Sequence, residues 1–595
     1  MFNLIHHFYY TGALHFFQLK YLKPPRKNGI LIKHFKQEVN MAITTDFLNV
    51  TGNRAIGHNP LPTFYNQCER SGSFRVLPYP ILNRYSDEAQ SVHLPIITLE
   101  NDYLRAQFLP ENGGRLYSLY SKQQKRELLY KSPTLQPEDM SARNAYFPGG
   151  VSWNLTPDAH CPSSFEKVFF GKVDADAGYE FLRMYNYERT QGLLWQIDFH
   201  LSANSQELYA HVVIHNPHDF PTPIYWWANL DAAKMDDCRV FASGKSVALE
   251  ESEEDISYPC NIDEEISLEF SCQESVTHPW IALAYAKGCG TFLRSSSKRH
   301  MQKATYGNDH FIELKSGGDA DEPSGLILEA GESLSFTHAI GAVIFEEGDA
   351  NLDSYHTSHA IIKAMVNHTL PTSKLEQQEL YFEQFIKLPC AKMLSSGEGW
   401  GALENMRRVF DNQPLLSESL IFPTESFTTA QYDWLAILNK APLADLTREQ
   451  IPRAWVTDMN YLSHLQSYLA AFPNNVTALL FMGTIFYENR FAEQATQAWH
   501  LVLEKGALTI ALRNLAYASR ASGFITEALS YMEQIDWHNI LNIDRAYLEE
   551  YFALLLDDEQ YQKMINHYNR LPAKLQQCKP LNTLALNALE CLSAN

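Results

Sequence analysis

Between about residue 60 and residue 350 the apolar positions fall in short runs with a period near two. HLPIITLE, YLRAQFLP, RLYSLYS, LWQIDFHLS, ELYAHVVIHN, IYWWANLDA, WIALAYA, FIELK and SFTHAIGAVIF read as strands, and PENGG, SANS, NPHDFPTP, KGCG and EAGES supply the turns between them. Such a series predicts an antiparallel sandwich with enlarged sheets. Strands do not alternate with helices, and neither GxGxxG nor a GxxxxGKS/T loop occurs, which argues against a nucleotide-binding α/β fold.

After about residue 350 the period lengthens to that of a helix, in SYHTSHAIIKAMVNH, LEQQELYFEQFIK and REQIPRAWVTDMNYLSHLQSYLAAF, with the junction near PTSKLEQQ. Leu479, Met482, Gly483 and Phe486 precede Ala495 and Trp499, much as Leu515 and Ala516 precede Ala528 and Met532. Gly483 to Ala516 and Ala495 to Ala528 are both 33 positions, close to the tetratricopeptide period of about 34. YLEEYFALLLDDEQYQKMINHYNRLP has the pattern of a third, weaker unit, and a non-repetitive helical bundle is the alternative. The pattern divides the chain into a basic extension (1–40), a sandwich (41–350), a helical linker region (351–470) and tetratricopeptide-like repeats (471–595).

Composition narrows the partners. The chain of 595 residues carries 48 Lys and Arg against 69 Asp and Glu, a formal charge of −21 that repels phosphate backbones, so nucleic acid is not an expected partner. No apolar run is long enough to cross a membrane. Residues 1–40 are basic and rich in His and aromatics, but their charge follows the apolar stretch. The expectation is a dispensable extension ahead of Met41 rather than a signal peptide. Nine cysteines without a CxxC pair fit reduced thiols and a cytoplasmic protein.

Neither a metal nor a cofactor is expected. HExxH, paired CxxC and an EF-hand loop are absent, and His211 and His215, four apart on a strand, would stand about 13 Å apart. No GxSxG elbow is present. What remains is a set of polar and aromatic segments: NGGRLYSLY, FPGGVSWNLTPDAH, YNYER, YWWANLDA and FIELKSGG. Aromatic rings beside Asn, Arg, Asp, Glu and His suit a sugar, which offers apolar CH faces for stacking and hydroxyls that need donors and acceptors. Trp226 and Trp227 must point to opposite faces of a strand, so at most one lines a site, and Trp153 fits a core anchor equally well.

The ordered series YPILNRYSDEAQ, LPIITLENDYLRAQFLPENGGRLYSLYSKQQKRELLYKSP, FPGGVSWN, the His160 region, IHNPHDFPTPIYWWANLDA and FIELKSGG, over about residues 75–345, resembles the domain of unknown function 5107 family. That family looks like a branch of the galactose-mutarotase-like superfamily and pairs such a domain with tetratricopeptide repeats. The resemblance implies a galactose-mutarotase-like β-supersandwich followed by an α-helical tetratricopeptide-type solenoid, and an association with carbohydrate. It also implies that Glu313, ahead of Ala330-Gly331-Glu332, stands where mutarotases hold a general base, and that Arg115 after Gly113-Gly114 binds a hydroxyl or carboxylate. The chain departs from the pattern where Tyr225 replaces a catalytic His, and where Ser152 and His338 stand at positions at which related domains carry glutamates. Tyrosine, with an ordinary pKa of about 10, is a poor acid at neutral pH.

His160 with Glu313 is the pair nominated for proton transfer, and Arg115, Trp153, Asn154, Glu188, Tyr225, Trp227 and Asp231 are the candidates for sugar binding. A glycosidase would need Glu313 and either Glu188 or Asp231 as carboxyl groups about 5–9.5 Å apart. Three functions compete. One is a carbohydrate-processing enzyme of glycosidase or epimerase type. The second is a non-catalytic sugar sensor acting on a protein partner through its repeats, and the third is an interaction scaffold.

Overall fold

The computed structural model describes residues 41–65, 75–135, 146–155, 160–175, 179–244, 246–249, 266–271, 278–306, 310–318, 326–348, 352, 354–506 and 508–594, and the elements and absences given below are those of these residues. The basic extension 1–40 lies outside them.

The period-two runs form two large sheets. The larger, of twelve strands, runs in the order β17 (Ser246–Leu249), β18 (Ile266–Ser271), β21 (Met301–Tyr306), β22 (Phe311–Gly318), β15 (Trp226–Ala233), β9 (Gly150–Asn154), β6 (Arg115–Ser121), β5 (Leu104–Leu109), β4 (Ile81–Glu100), β1 (Ala42–Asn59) and β8 (Thr134–Leu135), with β7 (Arg126–Glu127) also paired to β6. The smaller, of nine, runs β16 (Cys238–Ala242), β19 (Trp280–Tyr285), β20 (Cys289–Ser295), β24 (Ser333–Ile344), β13 (Glu207–His215), β12 (Leu194–His200), β11 (Glu180–Tyr187), β10 (Phe169–Asp174) and β25 (Lys392–Ser395). Pairing is antiparallel except for the brief β1–β8 contact. Two small ladders, β2 (Thr63–Phe64) with β3 (Val76–Leu77) and β14 (Thr222–Pro223) with β23 (Ile327–Leu328), stand apart from the sheets.

The facing sides of the two sheets share one apolar core. Phe108, Leu116, Val151, Trp226 and Leu314 of the larger sheet pack with Phe199, Val212, Phe336 and Ile340 of the smaller. Because side chains alternate along a strand, Trp226, Ala228 and Leu230 enter this core while Trp227, Asn229 and Asp231 project from the opposite face of β15.

Helices α1 (Tyr355–Thr369) and α2 (Thr372–Glu383) do more than connect. Ile362, Val366, Leu375 and Phe382 cover the outer face of the smaller sheet against Phe181, Tyr209, Phe241 and Phe292. Burial on both faces explains why LWQIDFH is buried at every position of β12. The chain then returns to the sandwich, and β25 pairs with β10 at the sheet's edge.

Beyond it follow α3 (Trp400–Phe410), α4 (Tyr432–Leu438), α5 (Leu462–Ala471), α6 (Val476–Glu488), α7 (Ala492–Gly506), α8 (Thr509–Ala521), α9 (Ile525–Met532), α10 (Arg545–Asp557), α11 (Tyr561–Tyr568), α12 (Ala573–Gln576) and α13 (Lys579–Ala594). The repeat signal coincides with the pairs α6/α7 and α8/α9, and the weaker unit with α10/α11. A side chain at Gly483 would begin only 2.3 Å from the Trp499 indole nitrogen, so the glycine lets α6 and α7 approach. No helix is long and apolar enough to cross a membrane.

Candidate functional site

The polar face of β15 and its neighbours carries the candidate chemistry. Asp231 is register-paired with Glu313 across β15 and β22, Asn229 with Lys315, and Trp227 with Gly317. On the other side of β15, Asn229 faces Ser152 and Trp227 faces Asn154 of β9. Alternation therefore assembles one polar surface from three adjacent strands. Arg115, at the start of β6, borders it.

Glu313 is the hub. Its Oε1 accepts a hydrogen bond of 3.0 Å from Asn229 Nδ2 and lies 3.9 Å from His160 Nε2, while its Oε2 is 2.8 Å from Lys315 Nζ. The His160 ring rests against Tyr146, with centroids 4.0 Å apart. Asp231 Oδ2 accepts from the Gly149 backbone N–H at 2.6 Å and from the Tyr146 hydroxyl at 3.4 Å, and the Gly149 carbonyl accepts from Arg115 Nη1 at 2.5 Å. One peptide group thus links the arginine to the aspartate. The FPGG turn needs its glycines for this: Gly149 and Gly150 have φ of +101° and +84°, and a side chain at Gly150 would begin 2.3 Å from the Leu116 carbonyl oxygen. The Arg115 guanidinium also lies 4.3 Å from the Phe147 ring centre.

The electrostatics divide the titrating groups. Burial, reinforced by the Glu313 charge, pushes Asp231 up to about 7. Burial also acts to raise Glu313, but Lys315, His160 and the Asn229 hydrogen bond outweigh it and hold this carboxyl below its ordinary value. Burial lowers His160 to about 4, helped by Lys315 and Arg115 and opposed by Glu313. At neutral pH the site therefore holds an ionised glutamate, a neutral imidazole and an aspartic acid near its titration midpoint. Two carboxyl groups with values driven apart are what separate acid and base roles require. Asp231 Oδ1 and His160 Nδ1 are buried without a hydrogen-bond partner. Such groups are costly in a finished core and are available to a ligand.

The other candidates divide. Asn154, fully buried, holds the turn beside His160: its Oδ1 accepts from Cys161 N at 2.9 Å, and its Nδ2 donates to the Trp227 carbonyl at 3.3 Å. Trp227 lies on the polar face with Lys303 Nζ 5.1 Å from its ring centre, and Tyr225 is buried just ahead of β15. Trp153 does not join them. It points into the core, 5.6 Å from Phe199 and 6.5 Å from Trp226 between ring centres, because it has the opposite parity to Ser152 and Asn154. Glu188 is turned to local use, since its carboxylate accepts from Thr190 N, Thr190 Oγ1 and Gln191 N and closes the turn after β11. His338 belongs to the core between the sheets, accepting from Trp226 Nε1 at 3.0 Å, so its departure from the family pattern does not alter this face. His211 and His215 bond separately to Thr337 and Ser333.

Sequence reasoning missed Lys315, Asn229 and Tyr146. Lys315 and Asn229 were accessible, each standing two positions from a nominated carboxylate on the same strand face. Tyr146 was not, because it reaches Asp231 from a turn. Among the described residues no group of three or more His, Cys, Asp and Glu side chains could hold a metal ion.

Comparison with known proteins fits this organisation. Residues 73–313 match the family described as a domain of unknown function, DUF5107. A tetratricopeptide-domain protein from Parabacteroides distasonis aligns over 93% of this chain and 96% of its own, with a TM-score of 0.57 at 15% identity. A Klebsiella pneumoniae protein provisionally assigned as an aldose 1-epimerase covers 54% of this chain and 96% of its own (TM-score 0.36, 11% identity). A galactose mutarotase-like protein from Clostridium acetobutylicum covers 42% and 96% (TM-score 0.34, 12% identity). Residues 73–313 thus match the DUF5107 family model, and a β-sandwich followed by helices is the fold this chain shares with the Parabacteroides distasonis protein.

Proposed function

We propose that the sandwich half binds a carbohydrate on the polar face of the larger sheet and processes it by proton transfer. The observation that carries this reading is the register pairing of Asp231 with Glu313, two buried carboxyl groups whose affinities for protons are driven in opposite directions. Asp231, protonated on the acid side of neutrality, is the donor, and ionised Glu313 is the acceptor, with neutral His160 beside it as a relay. Arg115 and Asn229 fix hydroxyls, and Trp227 offers an apolar face for stacking. Asp231 thus takes the acid role that Tyr225 fills poorly. The reaction class is glycoside hydrolysis or epimerisation at an anomeric or neighbouring carbon. Cysteines such as Cys161 and Cys390, which form no disulfide, support a cytoplasmic setting.

Proton NMR of anomeric signals, over a panel of mono- and oligosaccharides, tests this with wild-type protein, Glu313→Gln and Asp231→Asn. The expected result is bond cleavage or anomer exchange in the wild type that both variants lose. A second reading, a sugar sensor without catalysis, draws on Ser152, which stands on the polar face where related domains carry a glutamate. Ligand broadening without turnover in all three proteins would select it.

A further inference from the structure

The helical repeats hold a short segment of the chain that lies between two strands of the sandwich. Between the two longest strands, β1 and β4, the chain leaves the sandwich, and Leu61, Phe64 and Val76 join the apolar core of the helical half. Phe64 is 5% exposed and sits in an aromatic box. Its ring centre is 4.9 Å from Tyr487, 5.1 Å edge-on from Tyr517 and 5.9 Å from Trp499, with the Arg513 guanidinium 4.7 Å away. The backbone is read as well. Tyr517 donates its hydroxyl to the Phe64 carbonyl at 2.9 Å, and Glu488 Oε2 accepts the N–H groups of Arg75 and Val76. Tyr487 and Glu488 end α6, Trp499 lies on α7, and Arg513 and Tyr517 lie on α8, so three successive helices supply the groove. Next to it Arg84 forms an ion pair with Asp544 ahead of α10.

An aromatic pocket with a hydroxyl for a carbonyl and a carboxylate for paired amides has the chemistry to hold a short antiparallel peptide ladder such as β2–β3. We propose that this groove is a peptide-binding site whose resident ligand is the chain's own residues 61–65 and 75–76, so that the repeats act as an internal clamp on the sandwich rather than as an open receptor for another protein. Tethering gives the segment an effective concentration of the order of millimolar, which an outside peptide must overcome.

The test uses full-length protein and a fluorescent peptide with the sequence of residues 58–80, carrying Cys68→Ser. Phe64→Ala empties the box, and fluorescence anisotropy should then show the peptide binding at least about tenfold more tightly than to wild type. Adding Tyr487→Ala should abolish that gain. Equal affinity for wild type and Phe64→Ala, or full affinity in the double variant, overturns the proposal. Should Phe64→Ala fail to fold, amide hydrogen exchange decides. The Arg75 and Val76 amides should exchange slowly in wild type and at least about tenfold faster in Glu488→Ala, and unchanged rates overturn the proposal.

Discussion

Two buried charge clusters, one in each sheet, meet burial in opposite ways. In the smaller sheet, Arg183 and Asp198 are both fully buried and form a bidentate pair with two contacts of 2.7 Å. Gln196 donates to the same aspartate, and the arginine donates onward to the Phe385 and Leu388 carbonyls, which ties the sheet to the segment after α2. Neither the arginine nor the aspartate leaves a buried polar atom without a partner. In the larger sheet, Glu313, Asp231 and His160 are almost as deeply buried, yet they leave Asp231 Oδ1 and His160 Nδ1 without partners and hold a carboxyl near its midpoint. Arg183 and Asp198 satisfy each other, whereas the second cluster keeps polar capacity in reserve. The comparison teaches that burial and charge alone do not mark a site. In the larger sheet the unpartnered atoms belong to groups that sit beside carboxyls whose proton affinities are driven apart.

Four experiments break or sharpen this contrast. Glu313→Gln should lower turnover by about 10²–10⁴-fold while costing less unfolding free energy in urea than Arg183→Leu does. A large loss of stability would make the site structural. Arg183→Leu should do the reverse, costing about 3–5 kcal/mol by stranding the Asp198 charge, with the remaining folded protein keeping the activity proposed for the larger sheet. The double variant with Asp198→Leu should recover much of that loss.

The wild-type pH–rate profile should show an alkaline limb near pH 7, and Asp231→Asn, which loses turnover, removes the group that sets it. With a native pKa of about 7 the acid form is lost as pH rises through neutrality, and an amide does not titrate. The same shift has a stability counterpart. A carboxyl whose native pKa lies above its unfolded value contributes stability at low pH that is lost as pH rises from about 4 to about 7, so the variant should flatten stability over that window. The smallest individual effects belong to core histidines. Burial lowers His200 and His211 to about 4 and His338 to about 3. Groups held neutral in this way support the fold above their unfolded pKa of about 6.5 and withdraw that support as pH falls toward 4. Thermal unfolding at pH 5 against pH 7.5 should show a loss of about 1–2 kcal/mol for each, and His338→Gln should reduce the difference.

The two periodicities were plain in the sequence because they follow from strand and helix geometry, and Gly483 with Ala495 marked the first repeat pair for the same reason. Glu313, Asp231, His160 and Arg115 were legible as residue types in aromatic surroundings. Which of them meet was not, because meeting depends on register: Asp231 faces Glu313 only once β15 and β22 have paired. Trp153 shows the cost of reading type without parity, and Glu188 the cost of missing turn chemistry. The journey of Phe64 into the repeats left no local pattern, since its box is assembled from residues more than 400 positions away.

The four-residue strand Lys392–Ser395 has consequences for how such a protein can be divided or inherited. It closes the outer edge of Phe169–Asp174, and Gly171 leaves room there for Cys390, since a side chain at that glycine would begin 2.5 Å from the Cys390 sulfur. A gene cut near the junction of strand and helix would yield a sandwich with a bare edge, open to pairing with any passing chain. The halves are therefore poor candidates for exchange by recombination. Each packs against a piece that the other supplies.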